Sequence, residues 1–334
     1  MRAHLTFAIL LAACGNNPGA GTDGGGDDGD GGTGDGALDD ALSDGMEGDG
    51  PVISTCPAGT WCVETPPATV TGLLHAIDAV DANDVFAVGD GGTIIRRQAG
   101  AWTKMTSGTT MNLRGVWALS ATDVWAVGQN GTALHWNGTD WSPVANAPDL
   151  DYTGVWGAAA NDVWLIGTAS AVHWTGTVAT LAITGAPVSI SGVGANDIWI
   201  ASESGKVSHW TGGASWTLCT GATACAVTQS SFFAVGARAA NDVWVALPGT
   251  GTLRWNGSSW VAHASGTTLF ASIHAPGADN AWGVGGTKVG HWDGAAWTIS
   301  TPVVGFADSL YGVTGSGPHT WAVGQDAAIL YHRD

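Results

Sequence analysis

The stretch GVWALSATDVWAVGQNGTALHWNGTDW, from Gly115 to Trp141, carries four tryptophans among Gly, Ala, Ser, Thr and Asn. Its central word is Asp-Val-Trp, and the same word or a close variant recurs along the chain. The aromatic residues of these words are spaced by 39, 39, 35, 45, 38 and 39 residues and are Phe86, Trp125, Trp164, Trp199, Trp244, Trp282 and Trp321. The chain therefore contains seven copies of one unit about 40 residues long.

Within a unit the apolar residues follow a period of two, which is typical of strands. Short runs rich in Val, Leu and Trp are separated by turn signals at Ala121-Thr122, Asn130-Gly131 and Asn137-Gly138. Each copy is predicted to hold four strands: one before the Asp, one with Val-Trp-Ala-Val-Gly, one with His-Trp, and one that begins at the last Trp. Nothing in the unit predicts a helix.

Seven four-stranded sheets arranged around an axis form an all-β, seven-bladed β-propeller. Because each blade packs both faces against its neighbours, the repeated tryptophans are predicted to fill the space between blades. The last copy ends at "AILYHRD" without a fourth strand. The segment "PAGTWCVETPP", Pro57 to Pro67, matches the word that opens a fourth strand and precedes copy one. We therefore expect the N-terminal strand at Trp61 to complete the last blade, within a propeller that spans residues 56–334.

The first residues, "MRAHLTFAILLAAC", combine a basic start, a short apolar stretch and a cysteine after small residues. This pattern predicts a secretory signal peptide over residues 1–13. Its end resembles the lipobox of bacterial lipoproteins, and the resemblance implies cleavage before Cys14 and lipid on that cysteine. The apolar stretch is too short to span a bilayer, so the acyl chains would supply the membrane anchor.

Residues 14–55 are predicted to be the lipidated cysteine followed by a disordered tether. From Gly15 to Gly50 the chain has ten acidic residues and no Lys or Arg. Such a segment cannot bury a core, and its charges repel one another. Calcium binding at Asp27-Asp28-Gly29-Asp30 is the alternative, but the spacing lacks the regular pattern of an EF-hand loop.

Four further cysteines occur as two close pairs in a chain predicted to be exported. We expect disulfides between Cys56 and Cys62, beside the closing strand, and between Cys219 and Cys225, where a longer repeat interval predicts a protruding loop. Exchange between the pairs and a four-thiolate zinc site are the alternatives, and the wide spacing disfavours zinc.

The residue types disfavour catalysis and cofactors. The repeats loosely resemble BNR/Asp-box propellers, which include sialidases, but the Ser-x-Asp-x-Gly-x-Thr-Trp box is absent and the propeller has only Glu64 and Glu203 as glutamates. The recurring Asp residues are interpreted as caps of their own turns. Histidines at equivalent positions lie on separate sheets, too far apart to share a metal ion, and are interpreted as half-buried, hydrogen-bonded residues: His135, His173, His209 and His291. No metal or cofactor is predicted, and a net charge of -18 disfavours nucleic acid as a partner.

A binding site is expected where the copies stop resembling one another. In each first strand a β-branched residue follows a small one, and the residue before them varies freely. The turns after the second strand vary as well and are expected at the same mouth of the central channel. The candidate binding face therefore comprises His75, Arg114, Phe233 and Tyr311 from first strands, and Asp90, Gln129, Glu203 and Gln325 from turns.

The Asp-Val-Trp and His-Trp-x-Gly-x-x-Trp words together with the lipobox resemble the tandem DVWAVG-repeat lipoproteins of Gram-negative bacteria. This resemblance implies an exported, monomeric propeller. Gly15, which follows the lipidated cysteine, is not the Asp associated with inner-membrane retention, so the outer membrane is expected. The preferred function is a non-enzymatic binding or scaffold module for a glycan or protein. The alternatives are a sialidase-like glycoside hydrolase or lyase and a purely structural envelope component.

Overall fold

The computed structural model describes residues 56–334 apart from 221, 222, 224, 228, 230, 249, 250 and 267. The predicted signal peptide, Cys14, the predicted tether and the alternative calcium site at Asp27-Asp28-Gly29-Asp30 lie outside the described residues. The described chain forms seven four-stranded antiparallel sheets, and in six of them the strands follow one another in sequence. This confirms the predicted seven-bladed propeller.

The strands are numbered in chain order. Blade 1 contains β2 Leu74–Ala79, β3 Val85–Gly89, β4 Ile94–Gln98 and β5 Ala101–Met105; blade 2 contains β6 Leu113–Ser120, β7 Asp123–Gly128, β8 Ala133–Trp136 and β9 Trp141–Pro143; blade 3 contains β10 Tyr152–Ala159, β11 Asp162–Gly167, β12 Ser170–Trp174 and β13 Val178–Ala182; blade 4 contains β14 Pro187–Gly194, β15 Asp197–Ser202, β16 Lys206–Trp210 and β17 Thr217–Leu218. Blade 5 contains β18 Val235–Ala239, β19 Asp242–Leu247, β20 Gly251–Trp255 and β21 Trp260–His263; blade 6 contains β22 Ser272–Gly277, β23 Asn280–Gly285, β24 Lys288–Trp292 and β25 Trp297–Ser300; blade 7 contains β26 Leu310–Ser316, β27 His319–Gly324, β28 Ile329–Arg333 and β1 Trp61–Glu64. Two short 3-10 turns, Asp90–Gly92 and Gln325–Ala327, follow the second strands of blades 1 and 7.

The N-terminal strand closes the ring as the sequence predicts. β1 pairs antiparallel with β28, and Trp61 lies opposite His332. Glu64 of β1 then reaches blade 1, where Arg97 donates to its carboxylate at 3.1 to 3.2 Å and the Trp102 indole donates at 2.6 Å. Arg97 is fully buried, so this ion pair joins the first and last blades inside the core.

The repeated tryptophans fill the space between blades, which confirms their predicted role. The tryptophan of the Asp-Val-Trp word is called here the anchor. The anchor indole of one blade contacts, edge to face, the indole that opens the fourth strand of the next blade. Ring centroids lie 5.2 to 5.9 Å apart with interplanar angles of 79 to 88° in the pairs Trp164–Trp216, Trp199–Trp260, Trp244–Trp297 and Trp282–Trp61. Edge-to-face contact matches the positive ring edge to the negative ring face, beyond the burial of apolar area.

The last residue of the DVWAVG word is glycine because the next segment passes too close for a side chain. A Cβ on Gly128 would overlap the carbonyl oxygen of Asn112, and one on Gly324 would overlap that of Ser309. The same contact holds the turn after the second strand against the start of the first strand.

The Asp of the Asp-Val-Trp word has a different partner from the one predicted. Instead of capping its own turn, it bonds the side chain that precedes the aromatic position on the third strand. The distances are 2.9 Å for His135–Asp123, 2.7 Å for His173–Asp162, 2.8 Å for His209–Asp197, 2.6 Å for Arg96–Asp84 and 2.7 Å for Arg254–Asp242. Where the Asp is replaced, a bonded pair persists as His291–Asn280 at 3.1 Å and Tyr331–His319 at 2.7 Å. The histidines are half-buried and hydrogen-bonded, as expected.

Both cysteine pairs form locally, as expected: Cys56 bonds Cys62 and Cys219 bonds Cys225. Both cysteines of the second pair are buried in the cluster between blades 4 and 5. The indole of Trp260 donates to the carbonyl of Cys225 at 3.0 Å, which holds Cys225 against blade 5. Within the described residues no helix is both long and apolar enough to cross a membrane.

Candidate functional site

The variable residue of the first strand is a bulge residue. In blades 1, 2, 3, 4 and 7 the pairing of the first strand with the second skips one residue. The skipped residues are His75, Arg114, Thr153, Val188 and Tyr311. A bulge removes a residue from the alternation of the strand and re-aims its side chain. Packing therefore constrains these positions less than their neighbours, which explains why their identities differ.

The variable turns lie beside these bulges. The backbone N–H of the turn residue donates to the carbonyl that lies two residues before the variable first-strand residue of the same blade. These bonds measure 2.8 to 3.0 Å and are Asp90–Leu73, Gln129–Asn112, Glu203–Ala186 and Gln325–Ser309. The first-strand and turn residues of the candidate face therefore share one end of the ring, called here the mouth face.

In blades 1 and 2 the mouth face carries charged groups. His75 Nε2 lies 2.8 Å from a carboxylate oxygen of Asp90. Arg114, in the next blade, is only 8% exposed and has no hydrogen bond or ion pair within the described part of the chain. Burial lowers the pKa of the Arg114 guanidinium, and the charges of Asp151 and Asp90 oppose that shift. Arg114 is thus a desolvated cation with free donors.

In blades 5 to 7 the mouth face contains a pocket of about 420 Å³. The residues at the variable position of three successive blades line it: Phe233, Ala271 and Tyr311. Leu269 and Leu310 add apolar surface, and Lys288 adds a cation at the edge. Pockets of this size that combine aromatic walls with a few polar groups are typical of ligand sites.

The structure thus brings together two groups of the predicted residues. Phe233 and Tyr311 share the pocket, and His75 and Asp90 form a bonded pair; Arg114 lies in the next blade and interacts electrostatically with Asp90. The turn residues Gln129, Glu203 and Gln325 have the same backbone position as Asp90 but belong to neither group. Asp151 and Lys288 were missed because they precede or follow the repeat words, so only the folded ring brings them to this face.

Two buried titratable groups lie on the inner strands of the ring. The Asp78 carboxylate accepts from the backbone N–H of Ala79 and of Ala118, both at 2.8 Å, and from Thr314 Oγ1 at 3.4 Å. Burial raises the pKa of Asp78 to about 8 and lowers the pKa of His274 to about 4. Through these contacts Asp78 connects blades 1, 2 and 7. Among the described residues no cluster of His, Cys, Asp and Glu could hold a metal ion.

Comparison with known proteins shows similarity in fold. No protein-family model matches the sequence, and no curated protein matches it. Many solved structures are similar. YCF48 bound to D1 peptide has a TM-score of 0.68 and 16% identity, over 85% of this chain and 97% of that chain. YCF48 from Cyanidioschyzon merolae has a TM-score of 0.66 and 18% identity, over 82% and 99% of the two chains.

A catalytically inactive virginiamycin B lyase from Staphylococcus aureus, solved with quinupristin, has a TM-score of 0.66 and 14% identity, over 81% of this chain and 98% of that chain. At these identities the likeness shows the fold alone. The chain is a seven-bladed β-propeller protein.

Proposed function

We propose that this protein is a non-enzymatic binding module whose mouth face binds a ligand that carries both an apolar and an anionic group. The observation that carries this proposal is the pocket lined by Phe233, Ala271 and Tyr311, because the three residues come from the one position at which the blades differ. A purely structural ring would not need an aromatic residue at this variable position in two blades.

Arg114 supplies the anionic preference. Arg114 is mostly buried as a residue, and its guanidinium has no hydrogen bond or ion pair within the described part of the chain. A carboxylate or sulfate in the mouth would therefore gain charge-assisted hydrogen bonds from it. A protein segment and an acidic glycan both offer such groups. The likeness to YCF48 bound to D1 peptide supports the protein segment.

A lyase or glycoside hydrolase is the second candidate, and the likeness to virginiamycin B lyase favours it. Glu64, one of the two propeller glutamates, is occupied by Arg97 and Trp102 in the ring closure. A pair of catalytic glutamates flanking a substrate is therefore unavailable in the propeller, and binding is preferred.

The module would act at a membrane surface. In this proposal lipid on Cys14 anchors the chain to the outer membrane, and the acidic segment up to residue 55 lets the ring move away from the bilayer. Mass spectrometry of the protein from membranes would detect the acyl chains, and Cys14→Ser should release the protein into the soluble fraction.

The full chain should be screened against arrays of acidic glycans and of peptides with and without a free carboxylate. We expect Arg114→Met to weaken binding of the best ligand at least tenfold, about 1.4 kcal/mol, and added salt to weaken it further. The matched control is Arg333→Met, because Arg333 is exposed at the end of β28.

Equal binding by the Arg114→Met and Arg333→Met variants would contradict the proposal. Turnover of any polysaccharide by the wild-type chain would favour the second candidate. An absence of ligands in both arrays, with no partner captured from envelope extract, would favour a structural role.

A further inference from the structure

One seam between blades lacks an indole that the other six have. The fourth strand opens with tryptophan in six blades: Trp61, Trp102, Trp141, Trp216, Trp260 and Trp297. In blade 3 the register places Val178 there, because Trp174 pairs with Val178 as Trp136 pairs with Trp141. The anchor of the preceding blade, Trp125, still contacts Trp174 at 4.9 Å, but no second indole follows.

The missing indole leaves a groove. A cavity of about 510 Å³ lies at this seam and is lined by Trp125, His135, Trp174 and Val178 together with Ser142 and Val144. Trp174 is half-buried, whereas its counterparts at the same position of the third strand are 2 to 8% exposed, namely Trp136, Trp210, Trp255 and Trp292. The side chain of His135, at 33% exposed, is more open than those of His173 and His209, at 24% and 20%.

The other seams show which chemistry fits the groove. At four of them an indole meets the anchor indole at 79 to 88°, with its positive edge toward the face of a π system. A planar aromatic ring reproduces this contact. A saccharide ring can pack its C–H groups on an indole face but offers no π face to an indole edge in return, so an aromatic group is favoured over a glycan.

We assign the aromatic group to another protein. Residues 14–55 contain no Trp, Tyr or Phe, so the tether cannot supply one. In the described part of the chain every aromatic side chain is buried or half-buried, so a second copy presents none that projects fully into solvent. The turn at Gly176 and Thr177 forms one wall of the groove, and the residues after β9 form another.

We propose that the seam between blades 2 and 3 is a docking site for an aromatic side chain, above all tryptophan, presented by a partner protein. The side chain enters between Trp174 and the residues after β9 and packs against Trp125, in the place that the fourth-strand indole takes elsewhere. Ser142, Asn146 and Thr177 at the groove offer polar groups to the partner's backbone. This site is independent of the function proposed for the mouth face.

The test uses free indole and a short Gly/Ser peptide with one tryptophan as probes, titrated into the full chain. We expect a dissociation constant on the order of 1 mM for indole, and loss of at least tenfold in affinity in Val178→Trp, which fills the groove. Trp297→Val is the matched variant, since it should create the same vacancy between blades 5 and 6 and gain an indole site. A peptide with Ala in place of Trp and methyl glucoside should not bind.

A second measurement does not depend on the folding of the Val178→Trp variant. In wild-type protein with ¹⁵N-labelled indoles, added indole should shift the Nε1–H resonances of Trp125 and Trp174, assigned through Trp174→Phe. Indole binding that survives Val178→Trp, or that is lost in Phe233→Ala, would overturn the proposal, and so would unchanged resonances. Arg114→Met should leave indole binding intact, so a failure here is distinct from a failure at the mouth face.

Discussion

Two of the seams that depart from the contact of indole on indole do so in opposite ways. At the closing seam, Arg97 stands where other blades have a third-strand tryptophan, and its guanidinium lies 5.5 Å from the Trp321 ring and 5.7 Å from the Tyr331 ring. Glu64 and the Trp102 indole complete this packing. At the seam between blades 2 and 3, Val178 replaces an indole and nothing fills the space.

A departure from the repeat indicates a function only where the neighbouring residues do not fill the space that it leaves. At the closing seam other buried contacts replace the contact between indoles. The Arg97 cation packs over aromatic rings and pairs with the Glu64 carboxylate. The open seam exposes tryptophan and histidine surface that the other blades bury. The first departure stabilises the ring, and the second makes a surface available.

The largest effect is expected from breaking the closing seam. Glu64→Ala leaves the buried Arg97 without its counter-charge, so we expect the free energy of unfolding to fall by about 3–5 kcal/mol. Urea denaturation followed by circular dichroism measures it. The double variant Glu64→Ala with Arg97→Met should recover part of the loss, because the uncompensated charge is gone. A loss under 1 kcal/mol for Glu64→Ala would mean that the pair does not hold the ring closed.

The difference in stability loss between a variant at a filled seam and a variant at the open seam should be smaller. Trp210→Ala removes an indole packed between Trp164 and Trp216, and we expect a loss of about 3–5 kcal/mol. Trp174→Ala removes the half-buried counterpart at the open seam, so its loss should be about half as large. The two variants should be compared by denaturation under identical conditions. Equal losses would contradict the view that Trp174 lacks its normal neighbour.

The smallest effect is a pH dependence near the closing seam. The folded pKa of Asp78, about 8, lies above its ordinary value of 3.8, so the unfolded chain loses this proton first as pH rises. Stability should therefore fall between these values. The low pKa of His274 makes stability rise with pH, but only up to the ordinary histidine value of 6.5.

Between pH 6.5 and 8, Asp78 should thus lower the free energy of unfolding by roughly 1.4 kcal/mol per pH unit. Asp78→Asn should flatten the profile in this window, measured by denaturation at several pH values. An identical slope in the variant would assign the pH dependence to another group.

The repeat words predicted the blade count, the strand count and the closing strand because each word is a local pattern copied seven times. The face residues were predicted through their variability, and the bulges give the reason. The partner of the recurring Asp was not predicted, since the His or Arg that bonds it lies a strand away and nothing local distinguishes a turn cap from a pair across strands. The repeat words also show that copy three lacks the tryptophan that opens a fourth strand, and they place Ala179 there. A turn one residue shorter shifts the register, so Val178 takes that position.

The architecture follows from the amino-acid sequence alone: the period of the repeat and the alternation within each copy specify seven sheets, and the N-terminal copy of the fourth-strand pattern specifies ring closure. Which residues act together depends on the folded ring. Burial and contacts between blades depend on distances that the repeat does not encode, so the pocket at Phe233 and Tyr311, the unpaired Arg114 and the groove beside Trp174 appear only when the ring is closed.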